Sequence, residues 1–397
     1  MSHHPAREGR TLEAVSDPPT DVRSLPPLPR LPPLLSRPPR RVALVSYRLG
    51  GSDGVSVEAA KWGRAFTRLG VEVTTIAGAG RADAIVPGLA AASLSSATPP
   101  SPSAGRDRLE SLVETLDGML SPFDLVVVEN VLSLPLNPTA GRALGRVLAG
   151  RPALMRHHDL ASQRAQYRRE ALRWPPDDPY WRHVTINERS RLELSARGIQ
   201  ATTVYNRFDP DPPAGDRVAT RSALGFGETE RVVLQPTRAI RRKNVPGGLL
   251  LAAALGATYW LLGAAEDQYG PELEQVLSRA QCRVVRGVPE SAATPLSIED
   301  AYAACDAVVL PSTWEGFGNP AIESALHRRP LAISDYPVAF ELRRYGFSWF
   351  DVRQPARLAR FLQAPDEVLL DRNQYVARTR FSTDDLPAVL RELLTGG

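Results

Sequence analysis

Two Rossmann-like α/β halves, each built on a parallel sheet, form the architecture that this sequence predicts. Three observations point to it. A strand, a glycine loop, a helix and a second strand follow one another from Arg41 onward. The same alternation restarts near Arg231, after a loose, Pro-rich stretch. A chain of 397 residues with 43% apolar content can also bury two cores.

Residues 1–40 hold ten of the 36 prolines, in runs such as Leu25-Pro-Pro-Leu-Pro-Arg30. Proline removes a backbone donor and fixes φ, so this segment should be a disordered or polyproline II tail. Order begins with the apolar run Val42–Ser46, followed by a loop that contains Gly50 and Gly51. Val55, Ala59, Trp62, Phe66 and Leu69 then recur at 4-3-4-3 spacing, one apolar helix face. Val71–Ile76 reads as the next strand, and a βαβ unit of this kind implies parallel pairing. Leu125–Val128, Ala153–Met155 and Thr202–Tyr205 continue the first half, residues 41–205. A linker is expected over 206–230.

The second half, 231–375, has strands at Arg231–Gln235, Thr258–Leu262, Arg283–Val285, Asp306–Leu310 and Leu331–Ser334. A helix in the last segment, 376–397, completes the chain. In open α/β sheets ligands bind beyond the strand C-termini, where the informative residues of this sequence fall.

Several function classes are excluded or disfavoured. No apolar run approaches the ~20 residues needed to span a bilayer, and the N-terminus lacks a signal-peptide core, which predicts a cytoplasmic protein. Net charge is +4, and arginine supplies all but two of the 48 basic residues; the lysines are Lys61 and Lys243. That balance would suit anionic small molecules, or peripheral docking at the inner face of a membrane. No basic-aromatic stripe reads as a nucleic-acid surface. Cys282 and Cys305 lack metal-site spacing and read as small core residues. Three consecutive residues such as His157, His158 and Asp159 rarely converge on one ion, which disfavours a metal site at that motif.

The densest signal is Glu315-Gly-Phe-Gly-Asn-Pro-Ala-Ile-Glu323, which follows a buried strand and opens a helix. Asn319 is a good N-cap residue and Pro320 suits the first helical position. Gly316 and Gly318 allow a ligand to approach free backbone amides. Two carboxylates flank this loop with seven residues between them. The string resembles the donor-site signature of retaining GT-B glycosyltransferases, glycosyltransferase family 4 above all. The resemblance implies a GT-B fold, a nucleoside diphosphate sugar as donor (GDP-mannose or UDP-hexose type), retention of configuration, and neither a metal nor a cofactor. It places Glu315 and the loop Gly316, Phe317, Gly318 and Asn319 against the donor sugar and its phosphate, and Glu323 on the ribose.

Other matches follow the same resemblance. Arg238 and Lys243, five residues apart after the first strand of the second half, fit the pair that grips the donor diphosphate. Arg241 and Arg242 between them read as solvated. Arg156-His-His-Asp159 resembles the motif whose histidine faces the donor sugar; His158 matches best, with His157 its rival. Gly51, after Gly50, resembles the glycine loop near the phosphates. Arg286 and Gly287 fall where backbone contacts to the nucleobase are expected. Asp209-Pro-Asp211 reads as D-x-D but lies in the linker. The acceptor is some hydroxyl compound that the motifs do not identify. Two rival readings share the fold: a GT-B nucleotide-sugar epimerase, which needs no acceptor, and a non-catalytic scaffold.

Overall fold

The computed structural model describes residues 33–51, 53–91, 102–288 and 296–396. The Pro-rich run up to residue 32, and what was expected of it, lie outside these residues. The first half is a seven-stranded sheet in the order β3-β2-β1-β4-β5-β6-β7. In chain order its elements are β1 (Arg41–Leu49), α1 (Gly54–Arg68), β2 (Glu72–Gly80), β3 (Ala84–Ile85), α2 (Pro102–Leu120), β4 (Leu125–Glu129), α3 (Pro138–Leu148), β5 (Ala153–His157), β6 (Trp181–Thr185), α4 (Glu188–Ser195) and β7 (Ala201–Thr203).

The second half carries α5 (Arg217–Ala223), β8 (Val232–Gln235), α6 (Val245–Ala254), β9 (Thr258–Leu261), α7 (Gly270–Leu277), β10 (Val284–Arg286), α8 (Ile298–Ala304), β11 (Ala307–Leu310), α9 (Pro320–Leu326), β12 (Leu331–Ile333), α10 (Pro337–Arg343), β13 (Phe350–Asp351), α11 (Pro355–Gln363), α12 (Glu367–Arg380) and α13 (Leu386–Thr395). Its six strands run in the order β10-β9-β8-β11-β12-β13.

Every pairing in both sheets is parallel. Parallel strands covered on both faces read as continuous apolar runs, and Val42–Val45 in β1 and Val232–Leu234 in β8 are fully buried. In each sheet the strand order reverses once, between β1 and β4 and between β8 and β11. Such switch points open a crevice at the strand C-termini. The loops after β1, β4, β8 and β11 all start there.

Two features depart from the sequence reading, and a third accords with it. The stretch expected to be a bare linker contains α5, whose Asp216 cap holds the N–H of Ala219 and whose Arg217 reaches Asp306 on the second half at 2.6 Å. Strand β6 escaped notice because Arg182 and His183 interrupt its apolar pattern, although both are buried. Asp209 and Asp211 form a local turn, with the Asp211 amide on the Asp209 carboxylate at 2.9 Å.

The last helix crosses to the first sheet. Leu386, Leu390, Leu393 and Leu394 of α13 share a cluster with Val42, Leu44, Trp62 and Phe66. Arg182 donates to the Leu393 carbonyl at 2.7 Å, and the amides of Leu34 and Leu35 donate to that of Leu394. Backbone bonds between Phe208 and Phe381, and between Thr383 and Phe208, tie the outgoing and returning chain together. No helix among the described residues is long and apolar enough to cross a membrane. Cys305 is buried and Cys282 half-buried.

Candidate active site

Glu315 stands at the centre of the site. It follows β11 and is almost wholly buried. Its Oε1 accepts from Lys243 Nζ at 2.5 Å, and its Oε2 from Arg242 at 2.9 Å. Burial alone would push this carboxyl up, but the charges of Lys243 and then Arg242 hold it below the usual carboxylate range. Burial pushes the Lys243 ammonium down, with Glu315 opposing. A buried cation–anion pair at a strand end is a charge store that a ligand can rearrange.

Arg242 therefore differs from expectation. It is half-buried, bonded to the Trp314 carbonyl and to Glu315, whereas Arg241 is exposed and pairs with Glu272. Both lie on one tight turn, Arg241–Lys243, so neighbouring positions face opposite ways. Arg238 is about one-third exposed and held by Glu266 at 2.6 Å. It also faces the first half: together with Arg48 its charge favours ionised Asp53, the N-cap of α1. Burial, the largest single influence, pushes the Asp53 carboxyl up, and two hydrogen bonds from Ser56 together with these charges bring it below its usual range. Gly50, in the left-handed region at φ 73°, and Gly51 turn the chain into that cap.

The loop Gly316–Asn319 is shaped by contacts from the first half. A Cβ on Gly316 would lie 2.7 Å from the His158 carbonyl oxygen, so only glycine permits this approach. The Gly316 carbonyl accepts from Asn187 at 2.6 Å. Gly318 has φ 91°, and a Cβ there would meet the Tyr336 hydroxyl at 2.4 Å. The backbone amides of Gly316 to Asn319 have no acceptor among the described residues.

Two expected roles in the loop change. The Phe317 ring is buried against Phe208, Tyr205 and Phe381, so it anchors the loop and does not face a ligand. Asn319 makes no side-chain cap; its Oδ1 accepts from Asn206 at 2.9 Å, while its carbonyl takes the Glu323 amide. Glu323, one turn into α9, accepts from the Tyr302 hydroxyl at 2.8 Å through Oε2. Burial raises its pKa, with Lys61 from α1 opposing. Its other oxygen has no partner among the described residues.

The histidines separate cleanly. His158 gives Nε2 to Glu129 at 2.7 Å, and its Nδ1 has no partner among the described residues. His157 is enclosed between Ser133 at 2.6 Å and His183 at 2.8 Å, and burial drives its pKa well down. Behind His158 runs a buried chain: Glu129 to Arg156 at 3.2 Å, Arg156 to Glu58 at 3.0 Å, Glu58 to Lys61 at 2.6 Å. Glu129 stays ionised despite burial, because of Arg156 and His158. Glu58, Glu129, Asn130 and Asn187 were missed in the sequence; Glu129 closes an apolar run, which was the one available signal. Asn130, at φ 66°, accepts the amides of His158 and Asp159.

Arg286 and Gly287 stay apart from this cluster. Arg286 ends edge strand β10 and pairs with Glu274 on the surface, while Gly287 exchanges bonds with Leu261 and Trp260. Among the described residues no group of three His, Cys, Asp or Glu side chains is placed to hold a metal ion.

Comparison with known proteins fits this geometry. No family model matches the chain. Mannosylglucosylglycerate synthase of Thermotoga maritima is 26% identical over 351 residues, 75% of this chain and 81% of that protein. The protein of the same name from Petrotoga mobilis is 25% identical over 357 residues, 75% of this chain and 83% of its own length. Among solved structures, HepE of Anabaena in complex with UDP-glucose covers 89% of this chain and 99% of its own, with TM-score 0.66 and 18% identity. WaaG, a glycosyltransferase of lipopolysaccharide biosynthesis, covers 90% and 100% with TM-score 0.61 and 14% identity. The chain has the GT-B fold, and the proteins it is similar to in sequence and in structure are glycosyltransferases.

Proposed function

We propose that this chain is a retaining glycosyltransferase of the family 4 type that needs no metal. It moves a hexosyl group from a nucleoside diphosphate sugar to an acceptor hydroxyl. The observation that carries the reading is the buried pair Lys243 and Glu315, joined by half-buried Arg242 and set against the His158 carbonyl through Gly316. Mannosyl transfer draws support from the relatives' names, and a UDP-glucose donor from the HepE complex.

The chemistry needs charge neutralised on the leaving diphosphate and an oxocarbenium-like sugar held beside the acceptor. Lys243, Arg242 and Arg238 can meet the diphosphate, with Arg238 and Lys243 leaving Glu266 and Glu315 to do so. Glu315, thus released, is free to accept from sugar hydroxyls, and the open amides of Gly316 to Asn319 supply donors. Glu323 has one oxygen left for a ribose hydroxyl. With Nε2–H donated to Glu129, His158 presents Nδ1 as an acceptor. On front-face attack the C1–O bond to phosphate breaks and the acceptor oxygen bonds to C1 on the same face. The acceptor proton passes to the departing phosphate oxygen, so no protein nucleophile is required.

Titration calorimetry against UDP-glucose, UDP-N-acetylglucosamine, GDP-mannose and their nucleoside diphosphates, with and without EDTA, tests this. Selective micromolar binding that survives EDTA is expected. Binding that vanishes with EDTA overturns metal independence, and no binding by any of them overturns the donor-site assignment.

A further inference from the structure

Arg164 follows His158 by six residues and was singled out by no motif. It comes from the first half, between two short 3-10 turns, Ala161–Gln163 and Ala165–Tyr167. Its Nη2 lies 2.9 Å from Asp159 Oδ2, Nε is buried without a partner, and Nη1 has none among the described residues. Asp159 in turn is held at its amide by Asn130, and its Oδ1 lies 3.8 Å from where a Gly316 Cβ would be.

The guanidinium therefore stands at the crevice, beside the loop that begins at Glu315. Its surroundings agree. Burial disfavours its charge, but Asp159 and then Asp267 and Glu315, the last two from the second half, more than offset that. The side chain is one-quarter exposed. Gln163 locks the segment by accepting from the Leu160 amide and donating to Ser190 at 2.9 Å. Arg168, Arg169 and Arg173 on the same segment are exposed and have no side-chain partner among the described residues. An anion reaching this rim meets an attractive field before it meets Arg164.

We infer that Arg164 is an anion receptor on the acceptor side of the crevice, so the acceptor carries a carboxylate or a phosphate near the hydroxyl that is glycosylated. The inference rests on the glycosyltransferase reading above and adds a substrate class to it. The second half already holds three cations for the donor diphosphate; Arg164 lies on the other wall. A planar guanidinium with one Nη engaged and the other open suits a carboxylate or phosphate oxygen pair.

The test loads the protein with saturating UDP or GDP, whichever binds, so that the diphosphate site is filled. Glycerate and inorganic phosphate are then titrated in separately. Saturable binding of at least one anion is expected, weakened tenfold or more in Arg164→Gln and less in Arg164→Lys, with nucleotide affinity unchanged within twofold. Glycerate alone would identify a carboxylate acceptor, and phosphate alone a phosphorylated one. No anion binding to the loaded wild type, or binding indifferent to Arg164→Gln, overturns the proposal. So does a variant that loses nucleotide affinity instead, since Arg164 would then serve the donor. Absence of nucleotide binding in the wild type overturns the donor-site reading on which the proposal rests.

Discussion

Glu341, on α10, offers a prediction about stability whose sign and size follow from its surroundings. It accepts from the Glu188 amide of α4 at 2.7 Å and from the Tyr205 hydroxyl. Burial pushes its carboxyl up from 4.5 to about 7, and the hydrogen bonds from Tyr205 and the Glu188 amide only partly oppose this. An acid with a raised native pKa holds its proton longer folded than unfolded. Its ionisation therefore penalises the folded state: no penalty below pH 4.5, growing as pH rises, complete above about 7. A pKa gap of about 2.5, at about 1.36 kcal/mol each, sets a ceiling of ~3 kcal/mol. Glu341→Gln removes the charge and keeps an oxygen for both donors. At pH 8 the variant should be more stable than wild type by about 2 kcal/mol, with the advantage gone by pH 4.5. Urea unfolding at intervals between these pH values reads the difference. A constant offset across the range would show that Glu341 does not titrate there, and the reasoning would fail.

Lys243→Ala should lower kcat/KM by about a hundredfold or more, ~3 kcal/mol for a charge-assisted contact to the leaving group; an unchanged rate removes Lys243 from the phosphate. Gly316→Ala must part the loop from the His158 carbonyl and should cut turnover by at least about tenfold, ~1.4 kcal/mol; wild-type turnover in a folded variant would show that the close approach is dispensable. His158→Ala should lose turnover while keeping donor affinity in calorimetry, whereas a matching loss confined to His157→Ala would move the role to that residue. Leu390→Ala, at a fully buried position of α13, should destabilise by about 2–5 kcal/mol in denaturant titrations, and a shift below ~1 kcal/mol would contradict its place in the first core.

The parts of the fold that were legible in the sequence are those where local chemistry and tertiary demand agree. Central strands such as β4 and β8 are apolar because both faces are covered, and α1 shows its buried stripe at helical spacing. Strand β6 was illegible because its polar residues are satisfied by partners outside the strand: Arg182 by the end of α13, His183 by Asp177 and His157. At the site, Glu315 with Glu323 and Arg238 with Lys243 could each be read as a motif, although the pairing of Lys243 with Glu315 could not. Which way Arg242 and Phe317 point could not, since a turn and a glycine-flanked aromatic each permit two directions. Glu129 and Arg164 are paired with residues 29 and 5 positions away, His158 and Asp159, and carry no spacing signature of their own.

The pairing at Phe208 has a mechanical meaning. The polypeptide leaves the first half and comes back to it through two lengths of backbone bonded side by side, at 2.7 and 2.8 Å. The outgoing and the returning chain are therefore pinned to each other at one residue, and Phe208, whose ring stacks on Phe317, carries that pin to the loop beside the His158 carbonyl.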